Sequence, residues 1–263
     1  MKLLTSALCK QGGREYNQDF LATFAEDNEA CLVVCDGLGS YVGSEVASRL
    51  CATKIIENFM EIRTLDRKRA FMPEFVQSYV KAAHNYVTDY KEANPQIKSS
   101  CTTVACLATD GTHTVMCHIG DTRIYMFRGG KLAFQTKDHS LSQMAVDMGQ
   151  ISLRDIRSHK DQNKLTRVLG NDYYIAPDCN VDSRPLHKGD AFILCTDGFW
   201  EYVYEEEMEA DLVSSATPSE ALLKMENRLL SRAGKYNDNY SAVVMTVLED
   251  EEEGEADGEN QNE

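Results

Sequence analysis

Cys31-Leu-Val-Val-Cys-Asp36-Gly37 and Phe192-Ile-Leu-Cys-Thr-Asp197-Gly198 are short apolar runs that both end in Asp-Gly. A run of this length bounded by a turn signal reads as a buried strand. Each therefore delivers a carboxylate to the end of a core strand, beside a glycine that puts no side chain in the way. One Asp-Gly is most simply a hairpin turn. Two of them, about 160 residues apart, suggest oxygen ligands that the fold brings together.

Further acidic clusters sharpen that suggestion. Arg14-Glu-Tyr-Asn17-Gln18-Asp19 precedes the first run, Gly120-Asp121-Thr122-Arg123 lies mid-chain, and Asn237-Asp238-Asn239-Tyr-Ser241 leads into the apolar stretch 242–248. Aspartates without matching His or Cys favour a hard divalent cation, Mg²⁺ or Mn²⁺, over zinc. Two such ions close together suit phosphate-ester hydrolysis, because they acidify a shared water and neutralise the phosphoryl oxygens. A nearby arginine can grip a phosphate with two parallel hydrogen bonds.

In these residues the chain resembles the PPM-type (type 2C) metal-dependent protein Ser/Thr phosphatases, especially their compact bacterial members. The resemblance rests on 14–19, Val34-Cys-Asp36-Gly-Leu-Gly39, Gly120-Asp-Thr-Arg-Ile-Tyr125, Thr136-Lys-Asp-His139-Ser, Leu165-Thr-Arg-Val-Leu-Gly170, Thr196-Asp-Gly198 and Asp238-Asn-Tyr-Ser241, in the family's order and spacing. It implies an enzyme that hydrolyses phosphoserine and phosphothreonine by direct attack of a hydroxide bridging two metals. By the same resemblance Asp36 bridges both ions, the Gly37 carbonyl serves the second, and Asp197 and Asp238 complete the first. Asp19 is a water-mediated ligand or proton acceptor, and Arg14 holds the substrate phosphate. Asp121, with Asp197, would take the third, weaker metal of bacterial relatives. Phosphorylated proteins are the implied substrates, with a cognate Ser/Thr kinase writing the phosphates.

Two positions depart from the pattern. Gln18 stands where many relatives have Glu, replacing a carboxylate near the second metal by an amide. Leu38 stands where animal members carry a histidine proposed as general acid, so the leaving group must take its proton from water. The alternative that Gln18 hints at is a catalytically weak or dead relative that binds phosphoproteins. Cys117-His-Ile-Gly-Asp-Thr-Arg123 also fits the Cys-x₅-Arg spacing of cysteine-dependent phosphatases. That chemistry needs a loop of backbone N–H groups leading into a helix, whereas here the pattern continues as a strand, so the spacing reads as accidental.

Composition suits a cytoplasmic enzyme, with a monomer expected. The formal charge of −15 argues against nucleic acid and anionic membrane as partners. Nine acids and no bases fall in 249–263, which reads as a disordered acidic tail behind a domain spanning 1–248. The nine cysteines, mostly inside apolar runs, read as buried reduced thiols and not as a disulfide framework. The apolar stretch after Met1 is too short for a signal peptide and reads as a first strand.

Helical spacing recurs at Val46, Ala47, Leu50, Cys51, Ile55, Phe59 and Ile62, and again at Phe75, Tyr79, Ala83, Tyr86 and Tyr90. The aromatic stripe of the second helix reads as core packing. Strand-like runs follow at 102–109, 112–119, 123–128 and 131–135, with Gly129-Gly130 as a tight hairpin. A late helix is marked by Thr217 as cap, Pro218 in its first turn and Glu220 completing a capping box, with Gly234 to end it. The order predicts an α+β fold. The family's version is a four-layer α-β-β-α sandwich of two antiparallel sheets, with the metals at one edge between them. Residues of about 144–163 match the flap of bacterial members. The histidines carry no ligand spacing, and His139 is expected to order a loop by hydrogen bonding.

Overall fold

The computed structural model describes residues 1–38, 42–171, 173 and 176–248. The expected acidic tail, 249–263, and Gly39 of the first motif lie outside the described residues. Among the described residues, ten strands form two antiparallel five-stranded sheets. The first sheet runs β1 (Lys2–Lys10), β10 (Tyr240–Leu248), β9 (Ala191–Cys195), β6 (Arg123–Arg128), β7 (Lys131–Gln135). The second runs β2 (Asp19–Glu26), β3 (Glu29–Asp36), β4 (Val104–Thr109), β5 (Thr114–Ile119), β8 (Asp178–Asp182). Helices α1 (Ser44–Leu65) and α2 (Pro73–Ala93) cover the second sheet. Helices α5 (Glu205–Val213) and α6 (Pro218–Arg232) cover the first. Two short helices, α3 (Leu141–Asp147) and α4 (Asp197–Trp200), complete the set. This is the expected α-β-β-α sandwich.

The layering explains why residues 30–35 of β3 and the whole of β9 are apolar instead of alternating. In β3, Leu32 and Val34 face the other sheet, where they meet Leu194, Val243 and Met245. Cys31, Val33 and Cys35 face the helices, among Ala47, Cys51, Ile55, Val80 and Ala83. In β9, Phe192 and Leu194 point between the sheets while Ile193 and Cys195 pack under Met225 and Leu229 of α6. With both faces covered, every position is apolar, and each such large side chain contributes roughly 1.5–3 kcal/mol of burial. The chain ends of β3 and β9 are then the first places where polarity can return. β3 ends at Asp36, and Asp197 follows two residues beyond β9.

Four local expectations change. The aromatic stripe of α2 is only half core: Tyr79 is buried, but Tyr86 and Tyr90 are 42 % and 37 % exposed. The buried face turns instead through Val76, Val80, Ala83 and Val87. Thr217 does cap α6 by accepting from the Glu220 N–H at 3.2 Å, but Glu220 reaches back to the Ala216 N–H and not to its own cap. The helix ends at Ala233 in extended conformation, not at a left-handed Gly234. Finally, Cys117 and Cys179 form a disulfide, so two of the nine cysteines are not reduced thiols. They sit opposite each other in the β5–β8 register with Cα atoms 4.1 Å apart. Only the sheet pairing brings them together. The bond also removes Cys117 from any role as a nucleophile.

Candidate functional site

Asp36 emerges from the end of β3 with its backbone held on every side. Thr103 Oγ1 accepts its N–H at 3.0 Å, and its carbonyl accepts from Thr102 Oγ1 and from Thr103 N, both at 2.8 Å. Across the sheet its partner in β2 is Asp19. Gly37 must be glycine: a Cβ there would lie 2.5 Å from the Ser44 carbonyl oxygen and 2.7 Å from that of Gln18. Asp197 opens α4, just beyond β9. The next residue is again an obligatory glycine, because a Cβ on Gly198 would stand 2.0 Å from the Asn239 carbonyl oxygen. The two Asp-Gly turns thus mark sites of close backbone approach, not hairpins.

The remaining aspartates arrive on loops. Asp238 accepts the Asn239 N–H at 2.8 Å with one oxygen and Arg14 Nη2 at 2.6 Å with the other. Asn239 joins this loop to the one that carries Arg14. Its Nδ2 donates to the carbonyls of Gln11 and Tyr16, and its Oδ1 accepts the Gln18 N–H. Asp121 sits in the β5–β6 turn after Gly120, whose φ is +100°. Asp36, Gly37, Asp121, Asp197, Asp238, Arg14 and Leu38 all line one cleft of about 550 Å³, together with Asn163 and Leu165. Asp19 is buried behind Asp36, with Thr196 Oγ1 donating to its Oδ2 at 2.9 Å.

The electrostatics are lopsided. Burial pushes the carboxyls of Asp19, Asp36, Asp121 and Asp197 above the usual carboxylate range, and their mutual repulsion adds to the shift. Among the described residues, Arg14 is the one cation hydrogen-bonded to any of the five aspartates. The buried Oδ1 atoms of Asp19 and Asp121 have no hydrogen-bond partner. A buried charge without a partner is strongly unfavourable, so this set is built for a cation the chain does not supply. Oxygen donors only, converging on one cleft, fit Mg²⁺ or Mn²⁺.

In a second cluster, His139 and Asp178 are engaged by partners from the chain itself. His118, His139 and Asp178 bring ligand atoms within 4.8 Å of one another. His139 Nδ1, however, accepts the Gly120 N–H at 3.1 Å, which leaves its proton on Nε2, 3.1 Å from Asp178. Asp178 is held by both terminal nitrogens of Arg167, at 2.7 and 2.9 Å. Arg167 and His139 together pull the Asp178 carboxyl below its usual range. Since His139 N–H also donates to the Gly120 carbonyl at 2.9 Å, the cluster clamps the turn that carries Asp121. Loop ordering by His139 was the expectation.

Other contributors gave no sequence signal. Trp200 Nε1 donates to the Asp121 carbonyl at 2.9 Å. Glu201, whose carboxyl burial and the Asp197 and Asp238 charges push up, accepts from Gln162 at 2.6 Å. Thr102 and Thr103 shape the Asp36 turn. A Trp-Glu pair and a Thr-Thr pair carry no distinctive spacing, so only their closeness to Asp-Gly could have marked them. Arg123, from the Cys-x₅-Arg spacing, is buried against Asp138 with two contacts of 2.8 Å and does not reach the cleft lining.

The chain is similar to known phosphatases in sequence and in fold. The family model described as "Protein phosphatase 2C" matches residues 11–235. The chain is 27 % identical over 238 residues to a serine/threonine phosphatase stp of Listeria monocytogenes, covering 90 % of this chain and 92 % of that protein. It is 27 % identical over 220 residues to the serine/threonine protein phosphatase PstP of Mycobacterium tuberculosis, covering 83 % of this chain and 40 % of PstP. The crystal structure of the M. tuberculosis phosphatase PstP/Ppp superposes with a TM-score of 0.79 at 26 % identity, covering 94 % of this chain and 99 % of that one. The PstP catalytic domain in complex with two manganese ions gives 0.77 at 25 % identity, with 94 % and 99 % covered.

Proposed function

The chain belongs to the protein phosphatase 2C family, and from that premise we propose how it works as a protein serine/threonine phosphatase dependent on Mn²⁺ or Mg²⁺. Asp36, the Gly37 carbonyl, Asp197 and Asp238 would hold two cations, and Asp121 with Asp197 a third. Bound there, the cations supply Lewis acidity that acidifies water and neutralises phosphoryl oxygens. The chain's own residues do the rest. Thr102 and Thr103 hold Asp36 so that its carboxylate meets the cleft already oriented, which is the preorganisation that catalysis rewards. Arg14, anchored by Asp238 and half-exposed at the cleft, binds the substrate phosphate and aligns it. Asp19 keeps one oxygen on Thr196 and offers the other to a water or proton. Leu38 lines the cleft without a proton to give, so the leaving alkoxide is protonated from solvent. General acid assistance is worth about 10²–10⁴-fold, and aryl phosphates feel its absence least.

Residues 1–248 act as the catalytic domain, with 144–163 as its flap. Phosphorylated proteins written by a Ser/Thr kinase are its substrates. Five buried cysteines outside the disulfide, Cys31, Cys35, Cys51, Cys106 and Cys195, support a cytoplasmic setting, where we take the chain to work as a monomer. No helix among the described residues is long and apolar enough to cross a membrane.

The observation that carries this mechanism is the set of buried carboxylates, two with an unpartnered oxygen, opening on a cleft that contains Arg14. The test is hydrolysis of a phosphoserine peptide with Mn²⁺, with EDTA and after cysteine alkylation. Turnover should need Mn²⁺ and survive alkylation; turnover that ignores EDTA overturns the mechanism. Arg14→Ala should raise KM more than it lowers kcat, and an unchanged KM would remove Arg14 from phosphate binding.

A further inference from the structure

Part of the cleft lining is apolar. Leu38, Cys101, Leu165 and Val168 face the same space as the aspartates and Arg14, and each is neither fully buried nor fully exposed. Backbone bonds between separate stretches of chain hold these side chains in place. The Leu38 N–H donates to the Cys101 carbonyl at 3.1 Å, and Thr102 and Leu169 exchange N–H···O bonds of 3.0 and 2.7 Å. Leu165 is bridged to Ser140. Neighbouring residues on an extended stretch point to opposite faces. Thr102 and Leu169 are fully buried, Leu169 in the core beneath α1 and α2. Cys101 and Val168, each next in sequence to one of them, are left facing the cleft. The wall is therefore built into the fold before any substrate arrives.

Once a phosphoryl group is held by Arg14 and the cations, little lining remains for the peptide that carries it. Apart from Ser99 and Asn163, what remains is this wall. It starts at Leu38, one residue after the Gly37 carbonyl. A cleft of about 550 Å³ is the size of a site for one small ligand. It has room for the phosphorylated residue and a neighbouring side chain, not for a folded segment. Covering apolar surface is favourable, whereas a charged side chain set against the wall would lose hydration and meet no counter-charge there. We infer that Leu38, Leu165 and Val168 form a specificity subsite for an apolar side chain next to the phosphorylated residue of the substrate. This rests on the reading of the chain as a phosphatase whose cations and Arg14 seat the phosphate in the same cleft.

Phosphoserine peptides that differ only beside the phosphoserine test this with the full chain and saturating Mn²⁺. One carries glycine on both sides, a second leucine before the phosphoserine, a third leucine after it. One leucine peptide should exceed the glycine peptide about tenfold in kcat/KM, the factor for largely burying one such side chain. Aspartate at that same position should give no gain. Val168→Thr keeps the shape and adds a hydroxyl, and Leu165→Asn replaces an apolar contact by an amide. Each should cut the leucine-to-glycine ratio about threefold. A merely structural role would lower both peptides together and leave the ratio where it was. Should one variant fail to fold, the other decides, and the wild-type comparison needs neither. Equal kcat/KM for all the peptides, or a gain with aspartate, overturns the subsite and leaves the phosphatase standing. A leucine preference that the folded variants keep in full removes it from these residues. No Mn²⁺-dependent turnover of any peptide overturns the phosphatase reading and the subsite with it.

Discussion

Asp121 and Asp138 are two aspartates at neighbouring points of the fold, 4 % and 5 % exposed, and they are treated in opposite ways. Asp138 receives two hydrogen bonds of 2.8 Å from Arg123, whose side chain is 1 % exposed. Asp121 keeps a buried Oδ1 with no partner; burial raises its pKa, and the charges of Asp197 and of Asp138 itself raise it further. The same contrast runs through the molecule. Asp211 and Glu207 on α5 are met by Arg228 and Arg232 of α6, while among the described residues Arg14 is the one cation hydrogen-bonded to the cleft cluster of five carboxylates. A protein that needs a buried acid for structure supplies the counter-charge from its own chain. Where it withholds one, the acid is waiting for a ligand, and the withheld stability is returned when the ligand binds.

The contrast can be broken most sharply at Asp36. Asp36→Asn should lower turnover on the order of 10³-fold, because several kcal/mol of metal-derived transition-state stabilisation is lost. The metal-free variant should nonetheless melt no lower than wild type, since a repelled buried charge has gone. It should also lose the Mn²⁺-induced rise in thermal midpoint, which in wild type corresponds to about 2.7 kcal/mol at a hundredfold excess over Kd. A marked loss of metal-free stability in Asp36→Asn would contradict the comparison. The converse substitution, Asp138→Asn, leaves Arg123 buried without its partner and should cost about 3–5 kcal/mol in urea unfolding, with the Mn²⁺ response retained. Equal stability losses in the two variants would erase the distinction.

A smaller effect separates the two regions by pH. Burial and the neighbouring His118 hold His139 down to about 4, from an ordinary value of 6.5. The unfolded chain takes up this proton first, so the His139 contribution is complete above pH 6.5 and is lost as pH falls toward 4. The cleft carboxyls, with raised values, act in the opposite direction: the metal-free fold binds their protons more tightly than the unfolded chain and gains stability on acidification over the same range. Urea midpoints measured in EDTA between pH 7 and 4.5 should therefore rise on acidification in wild type, where four raised carboxyls outweigh one histidine, and rise more steeply in His139→Gln. Parallel pH profiles for the two proteins would remove His139 from the balance.

How much of this was legible beforehand depends on the range of each interaction. The two apolar runs ending at Asp36 and Asp197, the Gly129-Gly130 hairpin with φ of 58° and 74°, and the Thr217 cap are set by neighbours a few residues away. The sandwich itself followed from element order together with the resemblance. In α2 the periodicity placed Tyr86 and Tyr90 on the buried stripe, yet they stand partly in solvent, because which arc of a helix is covered depends on the sheet beneath it. The Cys117–Cys179 bond lay beyond reading, since 62 residues separate the two and only the β5–β8 register opposes them.

The sequence by itself determined that carboxylates would stand at strand ends beside glycines, because a short apolar run and the turn that stops it are local chemistry. Only the tertiary structure decided which acids would share a cleft and which would find an arginine. Asp121 and Asp138 are both buried aspartates beside strands of the same sheet region, and nothing in their immediate sequence states that one meets Arg123 and the other does not. Likewise Trp200 reads as an apolar residue until the fold sets its N–H on the Asp121 carbonyl and Arg157 over its ring. Charge compensation is a property of distance in space, and distances in space are settled by the packing of the two sheets and their helices.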